Sequence, residues 1–171
     1  MRRTLHMLSL LAAATCALTA VPAIAETVTV QLRGLEEVPA NTSAASGSLR
    51  LFINDRAGTI DYELSYENLQ GNVTQAHIHV GQAGANGGIS LWLCQTATNP
   101  APVAVAALTP FCPAAGTVTG TVGAANVIGP STQLVAPGEL DEVIRPLRAG
   151  CAYGNVHSAA VPTGEIRGQL H

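Results

Sequence analysis

The chain has 171 residues, a formal net charge of −3 at pH 7 and no lysine. A mildly acidic chain without basic clusters offers phosphate groups nothing to hold, which excludes nucleic-acid binding as the expected function. Residues 26–171 are enough for one domain that buries roughly two thirds of its unfolded surface.

The N-terminus has the parts of a secretory signal peptide. Arg2 and Arg3 precede an apolar stretch over residues 8–20, and residues 23–25, Ala-Ile-Ala, are small enough for signal peptidase. We expect residues 1–25 to be cleaved, which places the mature chain in the periplasm or outside the cell. No later stretch approaches the ~20 apolar residues of a membrane-spanning helix, so we expect no transmembrane segment in the mature chain.

Three early segments alternate apolar and polar residues, which is the pattern of strands with one buried face. They cover residues 27–33, 49–53 and 60–67. Residues 54–58, Asn-Asp-Arg-Ala-Gly, are turn formers and predict an antiparallel hairpin between the second and third segments. Such one-sided strands are typical of antiparallel sheets.

Further strands are predicted along the rest of the chain, separated by glycine and proline. They cover residues 72–80, 88–93, 116–122, 151–157 and 164–170. A helical turn is expected over residues 139–147, where Pro146 limits its length. Two stretches, residues 81–88 and 95–115, are expected to be long surface loops. Seven or eight short strands without a long amphipathic helix indicate an all-β protein, either an antiparallel sandwich or a closed barrel.

Three cysteines follow the predicted cleavage site: Cys94, Cys112 and Cys151. In an oxidising compartment, Cys94 and Cys112 could close the loop rich in alanine and proline, and we predict that disulfide. Spacing alone leaves two alternatives open, since Cys151 could be one of the partners or all three could be small buried residues.

Two histidines, His77 and His79, lie on one face of the strand predicted over residues 72–80, because side chains alternate along a strand. His157, in the strand over residues 151–157, would complete a set of three nitrogens if the two strands lie close together. Neutral imidazole is a common ligand of copper, zinc and iron. The alternative is that the three rings only form hydrogen bonds to neighbouring strands and loops.

Polar neighbours share the faces of these strands. Asn155 lies on the face of His157 and could orient an imidazole by a hydrogen bond. Glu165 and Arg167 share a face of the last strand, where Glu165 could also orient an imidazole and Arg167 could attract an anion. A structural alternative pairs Arg167 with Glu36, Glu37 or Glu165.

Common catalytic motifs are absent from the sequence. It contains no Gly-x-Ser-x-Gly turn to expose a nucleophilic serine, and no glycine-rich phosphate loop followed by lysine. We therefore expect no catalytic residues of these types.

Four ordered segments resemble the pattern of one family: residues 35–39, Leu-Glu-Glu-Val-Pro; 76–79, Ala-His-Ile-His; 150–157, Gly-Cys-Ala-Tyr-Gly-Asn-Val-His; and 164–170, Gly-Glu-Ile-Arg-Gly-Gln-Leu. Together they resemble the CHRD domain, the module named after chordin and found also in exported bacterial proteins. The sequence departs from the pattern at Cys151, where the family commonly has asparagine. The resemblance covers residues 26–171 and implies an immunoglobulin-like antiparallel β-sandwich or Greek-key barrel, similar to that of copper-zinc superoxide dismutase.

The dismutase comparison implies roles for single residues. His77 and His79 look like the His-x-His copper ligands, His157 looks like the copper ligand on a later strand, and Arg167 looks like the arginine that guides the anion. The bridging and zinc-site histidines have no counterparts, and His171 would add a fourth nitrogen only if the C-terminus folds back. The resemblance therefore implies copper as the cofactor, with zinc second.

These observations favour a non-enzymatic exported binding or envelope-associated module, whose protein or envelope partner is unknown. Two alternatives stay open: a copper-only dismutase-like redox enzyme, and a structural envelope or matrix module without metal.

Overall fold

The computed structural model describes residues 26–171, so the predicted signal peptide lies outside the described residues. The all-β prediction is confirmed, because the described chain forms eight antiparallel strands. They are β1 Glu26–Arg33, β2 Ser46–Asn54, β3 Thr59–Glu67, β4 Val73–Val80, β5 Ile89–Cys94, β6 Gly116–Gly123, β7 Ala152–Ser158 and β8 Ile166–Leu170. Each strand overlaps a predicted segment.

All eight strands belong to one sheet, in the order β5-β4-β7-β8-β1-β2-β3-β6. The two end strands, β5 and β6, also contact each other, so the sheet curls into a nearly closed barrel. With that contact the spatial order β7-β4-β5-β6 is a Greek key, since β7 returns to lie beside the first strand of a three-strand run. A closed sheet leaves few unpaired backbone groups at its edges.

Strands β1, β2, β3 and β6 are paired along nearly their whole lengths without register shifts. Their apolar side chains alternate into the barrel, where residues such as Leu51 and Ile60 are fully buried. The predicted hairpin is confirmed: the Ala57 N–H donates to Asn54 Oδ1 at 3.0 Å, and Gly58 has a φ of +63°. Glycine adopts that left-handed conformation without steric cost.

Strands β4, β5, β7 and β8 form the other half of the sheet, and β4 is shifted in register against both β5 and β7. On the inner face of β4, Ala76 and Ile78 belong to the main hydrophobic core. On its outer face, His77 pairs with Trp92 of β5 and with Asn155 of β7. Every residue of β7 is buried, because loops cover the outer face of this half.

The predicted helical turn is confirmed as α2, Leu140–Arg148, with Pro146 inside its last turn. It packs four apolar residues inward and contacts β4 and β7. Residues 95–115 are more ordered than the predicted loop, since they include the short helix α1, Val103–Ala106. The predicted Cys94–Cys112 disulfide is confirmed and ties this segment to the end of β5. None of the helices described within residues 26–171 is long and apolar enough to cross a membrane.

Candidate metal centre

Three histidines meet on the outer face of the sheet. His77 and His79 come from β4 and His157 from β7, and one ring nitrogen of each lies within 4.8 Å of the others. The closest pair, His77 Nδ1 and His157 Nε2, is 3.2 Å apart. His77 is fully buried, and His79 and His157 are each 7% exposed. The predicted convergence of the two strands is thus present, and the cluster is enclosed.

Hydrogen bonds to carbonyl oxygens fix the proton positions on two of the rings. His79 Nδ1 lies 2.9 Å from Gly87 O, and His157 Nδ1 lies 2.9 Å from Pro162 O. A carbonyl only accepts, so both Nδ1 atoms carry the hydrogen and both Nε2 atoms carry a lone pair in the neutral rings. The lone pairs that His79 and His157 can offer to a ligand are therefore those on Nε2.

The cluster has more lone pairs than donors. The Nδ1–H of His77 donates to His157 Nε2. Among the described residues, His77 Nε2 and His79 Nε2 have no hydrogen-bond partner. A buried polar atom without a partner costs about 1–3 kcal/mol, so this arrangement lowers stability unless something binds it.

Burial keeps the three imidazoles neutral. Desolvation lowers the pKa of His77 well below its usual 6.5, and the neighbouring His157 and His79 lower it further. Burial likewise lowers the pKa of His79 to about 4, against the raising effect of its bond to Gly87. Burial also lowers the pKa of His157. All three rings are therefore deprotonated at neutral pH, which is the form that binds metal ions.

Aromatic rings enclose the cluster on two sides. The indole of Trp92 lies edge-on to the His77 ring, with centroids 4.3 Å apart. The ring of Tyr153 is parallel to that of His79 at 4.6 Å. The Tyr153 hydroxyl accepts a hydrogen bond from Gly87 N, next to the carbonyl that receives the His79 proton. The rings and the loop after β4 hold the imidazoles in fixed orientations.

Arg167 is 1% exposed and holds the loop of residues 81–88. Its guanidinium covers the Tyr153 ring at 3.3 Å and donates to Ala85 O at 2.8 Å and to Gln82 O and Asn86 Oδ1 at 3.3 Å. Among residues 26–171, no carboxylate lies within ion-pair distance of Arg167. The predicted ion-pair alternative is therefore wrong, since backbone carbonyls of the loop take up the guanidinium N–H groups.

The two residues predicted to orient an imidazole are placed differently. Asn155 is 4% exposed, and its Oδ1 lies 3.2 Å from His157 Nε2. The Glu165 carboxylate instead accepts hydrogen bonds from Ser43 Oγ at 2.6 Å and Gln70 N at 2.7 Å. Glu165 thus anchors the loops that precede β2 and β4.

Glu37 lies in the site, although the sequence did not predict it there. The residue is 6% exposed and neighbours Asn155 and Arg167. Burial raises the pKa of its carboxyl to about 7, although Arg167 and Asn155 lower it. A Cβ at Gly164 would collide with Glu37 Oε1, so the glycine makes room for the carboxyl. Two signals in the sequence concerned Glu37, the motif of residues 35–39 and the suggested pairing with Arg167, and neither placed the residue beside Asn155.

Three neutral imidazoles suit copper or zinc. Such ions bind imidazole nitrogen at about 2.0–2.1 Å, which holds the nitrogens about 3–4 Å apart, so binding requires movements of only about 1 Å. His171 is exposed and lies outside the cluster, so the fold-back that would add a fourth nitrogen is not formed.

Comparison with known proteins gives one family. The family model described as the CHRD domain matches residues 28–170. No curated protein and no solved structure matches the chain.

Proposed function

The chain belongs to the CHRD domain family, and from that premise we propose that it is an exported β-sandwich binding module that holds one copper ion, with zinc second. The ligands are His77, His79 and His157. The observation that carries the proposal is the excess of buried lone pairs over donors, which a cation satisfies and the described neighbours do not. Copper comes first because it binds nitrogen sites more tightly than other divalent first-row ions.

Export agrees with the chemistry of the described residues. A disulfide between Cys94 and Cys112 persists in an oxidising compartment. We propose that residues 1–25 are a cleaved signal peptide, that residues 26–171 are the mature CHRD domain, and that the protein works in the periplasm or outside the cell with a protein or envelope partner.

A copper-only redox enzyme has less support. That function needs an anion path to the ion, and the arginine assigned to guide the anion has its guanidinium engaged by the loop of residues 81–88. If the fully copper-loaded protein removes superoxide, with a rate that falls as ionic strength rises, the enzyme is the better description.

The single tryptophan provides a direct measurement of copper binding. Trp92 lies beside His77, so Cu²⁺ bound at the cluster should quench its fluorescence in a one-to-one titration. The exported protein is titrated with copper and then with zinc, and its metal content is also measured as isolated. His77→Ala and His157→Ala should weaken copper binding by at least about 100-fold, since even the loss of an outer hydrogen-bond partner weakens metal sites by about 10–100-fold.

The matched control is His171→Ala, which removes an exposed histidine outside the cluster. Its affinity should equal that of the wild type. Unchanged affinity in both cluster variants would refute the site, and no metal uptake by the wild type would leave the structural module as the function.

A further inference from the structure

Asn155 lies on β7, within the half of the sheet that β4, β5, β7 and β8 form. It pairs with His77 across the β4–β7 ladder and with Arg167 across the β7–β8 ladder. Its Oδ1 lies 3.2 Å from His157 Nε2, the nitrogen that carries a lone pair. Two acceptors at this distance repel each other unless a cation or a proton lies beside them. The amide oxygen is therefore one more electron pair facing the cluster.

The other end of the Asn155 amide faces Glu37. Asn155 Nδ2 and Glu37 Oε1 both lie against Gly164, where a Cβ would be 3.0 Å from Nδ2 and would collide with Oε1. An amide nitrogen only donates and a carboxylate only accepts, so a carboxylate on the side of Nδ2 favours the amide orientation in which Oδ1 faces the imidazoles. A side chain at position 164 would separate the two groups.

We propose that Asn155 Oδ1 is the fourth donor to the ion bound by His77, His79 and His157, and that Glu37 is the positioning residue for its amide. This inference rests on the proposed function, because it concerns the same ion. It gives the site three nitrogens and one oxygen in place of a fourth histidine.

The oxygen donor determines which ion the site prefers. Carbonyl oxygen is a hard ligand, whereas the soft ligands that select Cu⁺ are sulfur atoms. A site with three imidazoles and one amide oxygen therefore favours Cu²⁺ and Zn²⁺ over Cu⁺. The buried carboxylate of Glu37 also offsets the positive charge of nearby Arg167, which otherwise repels a cation.

The test compares variants of the exported protein loaded with Cu²⁺ at pH 8. Asn155→Ala should weaken Cu²⁺ binding at least about tenfold and change the hyperfine splitting of the Cu²⁺ electron paramagnetic resonance spectrum. Asn155→Asp keeps an oxygen donor and adds charge, so it should bind Cu²⁺ at least as tightly as the wild type. Glu37→Gln should alter the spectrum less than Asn155→Ala, because the oxygen is kept but its orientation is not fixed.

Two matched controls separate positioning from general loss of a buried polar group. Asn126→Ala removes another buried asparagine, whose oxygen accepts from Gly123 N, and Glu165→Gln neutralises another buried acid. Both should keep the wild-type spectrum and affinity.

The outcomes distinguish this inference from the proposed function. If the wild type binds no copper, the proposed function fails. If the wild type binds copper and folded Asn155→Ala keeps its affinity and spectrum, the fourth donor is refuted while the histidine site stands. Should Asn155→Ala not fold, Asn155→Asp decides, because an unchanged spectrum in that variant refutes direct coordination.

Discussion

The two halves of the sheet use their buried positions in opposite ways. In the regular half, β1, β2, β3 and β6, the ladders run without register shifts and the buried hydroxyls of Tyr62 and Tyr66 reach carbonyl oxygens. In the site half, β4, β5, β7 and β8, the two ladders of β4 shift in register, and buried polar atoms on the strands and in the adjoining loops lack partners. Within residues 26–171, the residues with such atoms are Glu37, His77, His79, Ser90, Trp92, Glu165 and Gln169.

None of those seven residues lies on a strand of the regular half. Unpartnered buried polar atoms reduce stability, so their concentration around one half of the sheet agrees with the binding function proposed there. The disulfide at the end of β5 adds covalent support to the site half.

The largest expected effect is in the core of the regular half. Ile60 is fully buried among apolar neighbours, so Ile60→Ala should lower the free energy of unfolding by about 4 kcal/mol, through lost burial and the cavity left behind. Urea unfolding measures the loss, and the copper affinity of the folded variant should stay at the wild-type value. A weaker copper site in the folded variant would show that the two halves are coupled.

An intermediate effect is expected from the buried tyrosines. Burial raises the pKa of both Tyr62 and Tyr66 from 10 to about 12. Above pH 10 the native state keeps protons that the unfolded chain releases. The contribution of the two tyrosines to stability is therefore fully present below pH 10 and is lost as the pH rises through about 12. Tyr62→Phe should lower the free energy of unfolding by about 1 kcal/mol at neutral pH, because the hydrogen bond to Leu93 O is lost. In alkali the variant should lose less stability than the wild type.

Phenolate absorbance and urea unfolding across that alkaline range check the tyrosine prediction, with Tyr66→Phe as the companion variant. Titration of both tyrosines at their ordinary pKa would contradict the burial of the regular half.

The smallest expected effect is in the site half without metal. His77→Leu replaces a buried ring that has one unpartnered nitrogen by an apolar side chain, so the free energy of unfolding should change by less than about 1 kcal/mol. Copper should raise the thermal unfolding temperature of the wild type and not that of the variant. A loss of about 2 kcal/mol or more in the metal-free variant would instead favour the structural module.

The sequence determined the strands and which side chains share a face. Alternation is a local property, so the strands, the hairpin at residues 54–58 and the common face of His77 and His79 followed from neighbours in the chain. The Cys94–Cys112 pair was also correct, although spacing could not exclude Cys151. The resemblance to the CHRD domain rested on four local motifs, and the family match confirms it.

Only the tertiary structure decided what surrounds the histidines. His77 and His157 are separated by 80 positions, and their meeting depends on the order in which β4 and β7 enter the sheet. Two further features depend on loops that cross the sheet. Glu37 is buried beside Asn155, and Arg167 donates hydrogen bonds to the loop of residues 81–88. Strand periodicity carries no information about such loops, because their positions follow from contacts between residues that are far apart in the chain.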